Sequence, residues 1–309
     1  MRNTFINTLV ELAERDPRIV LLTGDLGFTV VEPFVEAFPA RFYNVGVAEQ
    51  NMAGLATGLA DGGYIPFMYS IATFASMRAY EFIRNGPVLH GLPVRIVGVG
   101  GGFEYGPAGA THFALEDVGL MRLQPGMTVI APADYRQARQ ALLASWDLPG
   151  PVYYRLGKNE RDVVPGLDGA FELGRLDVVR DGRDLAFVAM GSLAPEVLRA
   201  AETLAQDGIE ATVAIAASLS PPPEQDLLNL LRLFDTVVTA EAHYPNGGVG
   251  SLVAEVMAEH GLACRLLRCA VNRQPDGVTG SEAYMHAANG LDCQALAAAA
   301  RRAIDRVTL

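Results

Sequence analysis

The chain has 309 residues, 50% of them hydrophobic, and a formal net charge of −11. This length and apolar content suffice for two compact domains, each with its own core. The acidic balance argues against nucleic acid or an anionic membrane as a partner, and no apolar run approaches the roughly 20 residues of a membrane span. Three cysteines without metal-ligand spacing and an N-terminus without signal-peptide character favour a reducing cytoplasm.

The first half of the chain alternates helical and strand patterns. An amphipathic helix is predicted over 3–14, then the strand IVLLTGD, a short helix over 33–38 and the strand RFYNVGV. Further strands are predicted in PVRIVGVG, MTVIAPAD and PVYYRLG. Helices are predicted in TFASMRAYEFIRNGP with a stop at Gly86-Pro87, through LEDVGLMRLQ, and from Asp134 to Trp146. This alternation predicts an α/β fold with a mainly parallel sheet flanked by helices.

A second α/β unit follows a stretch rich in Gly, Asp and Pro. Strands are predicted in DLAFVAMGS, ATVAIAAS and DTVVTAEA, with helices in APEVLRAAETLAQDG, over 251–260 and in QALAAAARRAI. His243 and the glycines after it are interpreted as a tight strand-to-helix turn. We predict two domains, 1–158 and 185–309, joined by a linker over 159–184 with room for one short strand.

Glu49 is an acid placed at the start of a predicted helix. In YNVGVAEQNMAGLATGLA, a strand end and a glycine turn lead into an apolar pattern of helical spacing. No basic residue is near Glu49 in the sequence, the closest being Arg41 and Arg78. A helix N-terminus favours the carboxylate by roughly 0.3–1 kcal/mol. Burial under a ligand ring favours the neutral acid, which can donate a hydrogen bond. A solvated first-turn glutamate is the alternative.

The segment VGVAEQNM resembles the pyrimidine-domain signature of transketolases and 1-deoxyxylulose-phosphate synthases, and the resemblance extends over nearly the whole chain. It implies a pyrimidine-binding domain followed by a transketolase C-terminal domain. It also implies a transferase that uses thiamine diphosphate and moves a two-carbon ketol or related acyl unit to an aldehyde-type acceptor. In this family the residue matching Glu49 bonds N1′ of the aminopyrimidine and thereby activates the thiazolium carbon.

The same resemblance implies further cofactor contacts. Phe74 matches the aromatic residue that stacks on the aminopyrimidine. Ile71 matches a second aromatic position of full-length transketolases, and Asp25 matches an aspartate near the cofactor and donor. From its spacing alone, Phe74 belongs to the plain core face of a helix, which is the alternative interpretation.

Substrate-binding residues are implied as well. His112, in the loop GGGFEYGPAGATH, matches a histidine that contacts the donor ketose as a general acid/base or hydrogen-bond donor. Arg2, Thr29 and Lys158 match positions that bind the phosphate or lie around the substrate. A structural loop histidine and solvated basic side chains are the alternatives. The run GVGGGFEYG is only a weak match to a dinucleotide-binding fingerprint.

Two positions depart from the family pattern. The family's GEDG before ATH is GPAG here, so Ala108 replaces an aspartate that reads a sugar hydroxyl, and Gly100 replaces an upstream histidine. Losing the polar partner of a desolvated hydroxyl costs about 1–3 kcal/mol, which is enough to disfavour the ordinary sugar. The resemblance therefore implies a retained two-carbon transfer machinery with altered sugar recognition.

The resemblance implies that this chain carries only one half of a thiamine-diphosphate site. The family holds the diphosphate through Mg²⁺ with a GDG motif and a later Asn, and Gly24-Asp25-Leu26 lacks the second Gly and the Asn. The chain thus resembles the C-terminal half of a split transketolase. This resemblance implies a partner N-terminal subunit carrying GDG…N, no metal ligand in this chain, and an α2β2 assembly. The alternatives are the β subunit of a 2-oxoacid dehydrogenase and a catalytically silent subunit, although AEQNMAGLATGLA and RAYEFIRN favour split transketolases.

Overall fold

Two β-sheets organise the chain in a computed structural model that describes residues 1–305. The strands are β1 (Ile19–Thr23), β2 (Phe42–Asn44), β3 (Ile65–Ile71), β4 (Arg95–Val99), β5 (Thr128–Ile130), β6 (Val152–Leu156), β7 (Asp177–Arg180), β8 (Leu185–Ala189), β9 (Ala211–Ile215), β10 (Ser218–Ser220), β11 (Thr236–Ala240) and β12 (Arg265–Cys269). The helices are α1 (Arg2–Arg15), α2 (Glu32–Ala37), α3 (Glu49–Asp61), α4 (Tyr80–Ile83), α5 (Asp117–Arg122), α6 (Tyr135–Ser145), α7 (Ala194–Ala205), α8 (Glu224–Leu233), α9 (Val249–Glu259), α10 (Glu282–Ala288) and α11 (Cys293–Asp305).

Both sheets are mainly parallel. The seven-stranded sheet has the order β10-β5-β6-β4-β3-β1-β2, and only β10 runs antiparallel to its neighbour. The five-stranded sheet has the order β12-β11-β8-β9-β7, with β7 antiparallel. Central strands such as β1, β4 and β6 are buried at every position, because helices cover both faces of a parallel sheet. The predicted fold of two α/β domains is confirmed.

The structure departs from the predicted elements in the segment after β3. The helix expected to stop at Gly86-Pro87 is instead α4 flanked by two π-helical stretches, Phe74–Arg78 and Arg84–Val88. The predicted stop is wrong, because the helical turn widens around Pro87, which has no N–H to donate, rather than ending there. Strand β12 and helix α10 were not predicted.

One strand and several polar contacts connect the two halves of the chain. Strand β10, from the second half, pairs with β5 of the first sheet, and β7, from the stretch predicted as a linker, joins the second sheet. Buried Arg155 donates to Asp117 Oδ2 and to the carbonyl oxygen of Ala242, both at 2.9 Å. No helix within residues 1–305 is long and apolar enough to cross a membrane.

His243 lies in this contact between the halves. Its Nδ1 bonds the carbonyl oxygen of Tyr244 at 2.7 Å, and its Nε2 accepts the N–H of Gly119 at 3.2 Å. These two contacts require a neutral ring that is protonated at Nδ1, and burial lowers the pKa of His243 accordingly. The imidazole therefore connects α5 to the turn before α9, consistent with the structural role predicted for it.

Candidate active site

The carboxyl ends of neighbouring parallel strands bring the predicted site residues to one edge of the first sheet. Asp25 follows β1, Ile71 ends β3 and Lys158 follows β6. Strands β6, β4, β3 and β1 are adjacent and parallel. Glu49 opens α3 in the connection that follows β2. Ligands of open α/β sheets bind beyond this edge.

Glu49 is buried at the first position of α3, with 1% of its surface exposed. The hydroxyl of Ser70, on β3, donates to its Oε1 at 3.0 Å. Gly24 provides the room for this carboxyl group, since a Cβ there would lie 3.3 Å from Oε1. The interpretation of Glu49 as a solvated surface residue is therefore wrong.

A basic residue that is distant from Glu49 in the sequence lies beside it in the fold. Arg78 Nη1 donates to Glu49 Oε2 at 2.5 Å and forms an ion pair with it. Arg78 ends the π-helical stretch after β3, and its side chain is 39% exposed. The contact was not evident from the sequence, because the two residues are 29 positions apart.

Phe74 and His112 adjoin this ion pair. The guanidinium carbon of Arg78 lies 4.3 Å from the centre of the Phe74 ring. The Phe74 ring meets the imidazole of His112 edge to face, with centroids 5.1 Å apart. His112 Nδ1 is 3.0 Å from the hydroxyl of Thr111, and the His112 side chain is partly exposed. Glu49, Phe74 and His112, predicted from separate motifs, thus form one cluster of contacting side chains with Arg78.

Beyond His112, the cluster continues to Tyr105, which was not predicted from the sequence. Tyr105 adjoins two cations, Lys158 and Arg2. The Tyr105 ring centroid is 6.3 Å from that of His112, and Lys158 Nζ lies 4.1 Å from the centre of the Tyr105 ring. Burial raises the pKa of the Tyr105 phenol, and the positive charge of Arg2 opposes that rise. The Nε of Arg2 is buried without a hydrogen-bond partner in the described part of the chain.

Glu104 was also missed, and it fixes the position of this loop. Its Oε1 accepts the Ser192 hydroxyl at 2.7 Å, and its Oε2 accepts the backbone N–H of Lys158. The Lys158 ammonium in turn donates to the Glu104 carbonyl oxygen at 3.1 Å. Burial raises the pKa of Glu104. The sequence did contain a signal for Glu104, because this acid stands between two aromatic residues in a glycine-rich loop.

Asp25 and Thr29 lie on the exposed turn after β1. Both have positive φ, 58° and 66°. Asp25 Oδ1 accepts the Asn44 amide at 3.0 Å, while the N–H of Thr29 donates to Glu32 Oε1 at 2.7 Å. Their observed bonds therefore shape the turn. Ile71 is half-buried at the end of β3. Within residues 1–305, no group of three or more His, Cys, Asp or Glu side chains is arranged to hold a metal ion.

Comparison with known proteins identifies both halves of the chain. Residues 1–162 match the family model "Transketolase, pyrimidine binding domain", and residues 174–296 match "Transketolase, C-terminal domain". A "Putative transketolase C-terminal section" of Methanocaldococcus jannaschii is 40% identical, over 88% of this chain and 86% of that one. One of the subunits of an apulose-4-phosphate transketolase from Actinobacillus succinogenes is 36% identical, over 87% of this chain and 86% of that one.

A third relative, from Clostridium sp., is a 6-deoxy-6-sulfo-D-fructose transketolase subunit, 39% identical over 84% of this chain and 81% of that one. Among solved structures, one described as "Split gene transketolase, inactive beta4 tetramer" is 39% identical, with a TM-score of 0.88. It covers 98% of this chain and 97% of that one. These findings confirm the resemblance seen in VGVAEQNM, and the chain belongs to the transketolase family, of which it contains the pyrimidine-binding and C-terminal domains.

Proposed function

We propose that this chain is the C-terminal subunit of a split transketolase, which transfers a two-carbon ketol unit from a donor ketose to an aldehyde-type acceptor with thiamine diphosphate and Mg²⁺. The observation that carries the proposal is the buried Glu49 carboxyl at the start of α3, which Arg78 connects to the Phe74 ring, and Phe74 in turn contacts the His112 imidazole. A relative described as a transketolase C-terminal section, similar along most of its length, supports it.

Glu49 and Phe74 have the chemistry to hold an aminopyrimidine ring. The contacts that Arg78 makes with both residues are of the kind that such a ring would make. Its guanidinium is a planar group of N–H donors that lies on the Phe74 ring and donates to the Glu49 carboxyl. An aminopyrimidine would make the same two kinds of contact. Because Arg78 is 39% exposed, its side chain has solvent into which it can move when the pyrimidine takes its place.

The residues of this chain would then have separate roles. When bound, the cofactor supplies the carbon nucleophile that a carbon–carbon cleavage of this type needs. Glu49 holds a proton at N1′ of the pyrimidine, and Phe74 orients the ring by stacking. His112 exchanges a proton with a substrate oxygen. Arg2 and Lys158 attract an anionic end of the substrate.

A second chain would complete the site. This sequence has no GDG…N motif, so we assign the diphosphate and Mg²⁺ contacts to an N-terminal partner subunit in an α2β2 assembly. A similar chain described as an inactive β4 tetramer of a split-gene transketolase supports this dependence. We propose that the pocket takes an unusual anionic sugar, because Ala108 and Gly100 remove polar groups and because related subunits are named for apulose 4-phosphate and a sulfofructose.

The test is reconstitution with the product of a neighbouring gene that encodes GDG…N. The two chains should co-purify and transfer a ketol unit in a screen of donors and acceptors, whereas the chain alone should be inactive. Calorimetry with thiamine diphosphate and Mg²⁺ should show tight binding only for the complex. Tight binding by this chain alone would contradict the split site, and a complex that binds cofactor but transfers nothing would indicate a silent subunit.

A further inference from the structure

Tyr105 fills the space that glycine leaves open at position 100. A Cβ built on Gly100 would overlap the ring carbons Cδ2 and Cε2 of Tyr105. The φ of Gly100 is +78°, which L side chains rarely adopt. The pair is therefore complementary in shape, and a histidine at position 100 cannot be accommodated while Tyr105 stays where it is.

The Tyr105 ring is held in this position by several contacts. Lys158 Nζ lies over its face, the positive charge of Arg2 acts on its hydroxyl, and the N–H of Ala108 donates to its backbone oxygen at 2.9 Å. A 3₁₀ turn over Gly106–Ala108 follows directly. Moving the ring would break the cation–π contact with Lys158. The ring is thus a fixed wall of the site.

The Tyr105 ring lies next to both groups that the proposed acceptor would contact. Its centroid is 6.3 Å from that of His112, and Lys158 Nζ lies 4.1 Å from its centre. An acceptor whose aldehyde reaches His112 and whose anionic group reaches the cations must pass along the ring. The ring edge offers no hydrogen bond to sugar hydroxyls there, and it removes the volume that a longer carbon chain would need.

We propose that Tyr105 determines specificity by limiting the acceptor to short aldehydes that end in an anionic group. This inference rests on the proposed ketol transfer. It names Tyr105 as the residue that selects acceptors by their length. In this proposal the Tyr105 ring, and not its hydroxyl, excludes five-carbon phosphorylated aldoses.

The kinetic test compares glyceraldehyde 3-phosphate with ribose 5-phosphate as acceptors of the reconstituted complex. Tyr105→Ala should raise the ratio of kcat/KM for ribose 5-phosphate over that for glyceraldehyde 3-phosphate by about tenfold or more. Tyr105→Phe is the matched control, because it keeps the ring, and its ratio should stay within about twofold of the wild type. An unchanged ratio in Tyr105→Ala, or the same change in both variants, would overturn the proposal.

A second test uses the full chain alone and does not depend on activity. Gly100→Ala should lower Tm by several degrees in the wild-type background, and by less than half as much in the Tyr105→Ala background, because the steric overlap is then gone and only the backbone strain remains. Equal losses in both backgrounds would show that Tyr105 does not fill this space and would overturn the inference. A different outcome would refute the proposed function instead. In that outcome the Tm loss of Gly100→Ala still depends on Tyr105, but the reconstituted complex transfers no ketol unit.

Discussion

Glu49 and Arg78, 29 residues apart in the chain, form an ion pair beside the Phe74 ring. The two side chains differ in exposure, since Glu49 is 1% exposed and Arg78 is 39% exposed. Arg78 therefore balances the negative charge of the buried Glu49 carboxylate while its own side chain remains open to solvent. In the proposed holoenzyme, the aminopyrimidine and Arg78 compete for the same acid and the same aromatic face.

Replacing Arg78 should destabilise the free chain. Arg78→Met keeps the aliphatic stem but leaves Glu49 without its charged partner, and we expect the free energy of unfolding to fall by about 1–2 kcal/mol. The value is below that of a fully buried pair, because solvent screens the arginine. Urea unfolding of the isolated chain measures it. Arg84→Met, at an exposed position in the next turns of the same segment, is the control and should change stability by less than about 0.5 kcal/mol. Equal effects of the two substitutions would show that the ion pair contributes nothing.

His112 should affect turnover rather than cofactor binding. His112→Asn removes the proton-transfer group while keeping a polar side chain of similar reach, and kcat of the reconstituted complex should fall about 10²-fold or more. Calorimetry should give an unchanged cofactor affinity. His90→Asn, at an exposed histidine outside the site, is the control. A kcat within twofold of the wild type would remove His112 from the chemistry.

Ala108 should be a position where sugar recognition can be added. Ala108 is exposed on the 3₁₀ turn after Tyr105, so an aspartate fits there without steric conflict. Ala108→Asp should shift kcat/KM toward hydroxylated aldoses by roughly tenfold, equivalent to about 1.4 kcal/mol. Ala110→Asp, another exposed alanine of the loop, is the control. If the wild type already uses ribose 5-phosphate as its best acceptor, the interpretation of the GPAG loop is wrong.

Glu241 should make stability depend on pH. Burial raises the pKa of Glu241 to about 7, although the N–H groups of Val249 and Gly250 donate to it at 2.8 and 2.9 Å. The folded chain therefore holds a proton between about pH 4.5 and 7 that the unfolded chain has released, so this contribution to stability is present at low pH and is lost as pH rises through 7.

The substitution Glu241→Gln removes this titration. The stability of the wild type relative to Glu241→Gln should therefore decrease by about 2–3 kcal/mol from pH 5 to pH 8. Chemical unfolding at both pH values measures the difference, and Glu259→Gln, at an exposed position on α9, should show no such change. A stability difference that is the same at both pH values would contradict the role of burial.

The sequence predicted the features that depend on local pattern. Continuous apolar runs such as IVLLT and the alternation with helices predicted the parallel sheet, and parallel strand ends brought Asp25, Ile71 and Lys158 to one edge. The VGVAEQNM motif located Glu49 at the first turn of α3, where the structure has it.

The features that the sequence did not predict are non-local. The Glu49–Arg78 ion pair joins residues 29 apart, and Arg78 ends a π-helical stretch that helical periodicity does not reveal. The pairing of β10 with β5 joins residues from different halves of the chain. The fit of Tyr105 against Gly100 is a steric relationship that becomes visible only when the loop is folded.

The central claim is that Glu49 of this chain activates a cofactor whose diphosphate is held by another chain. Its most direct test is exchange of the thiazolium C2 proton of thiamine diphosphate, followed by NMR in deuterated buffer with the reconstituted complex. Glu49→Gln should bind the cofactor but slow exchange by about 10²–10⁴-fold, because an amide cannot exchange a proton with N1′ as the acid does. Gln50→Glu in the wild-type background is a control for added charge at the exposed neighbour and should leave exchange unchanged. An exchange rate in Glu49→Gln equal to that of the wild type would contradict the account.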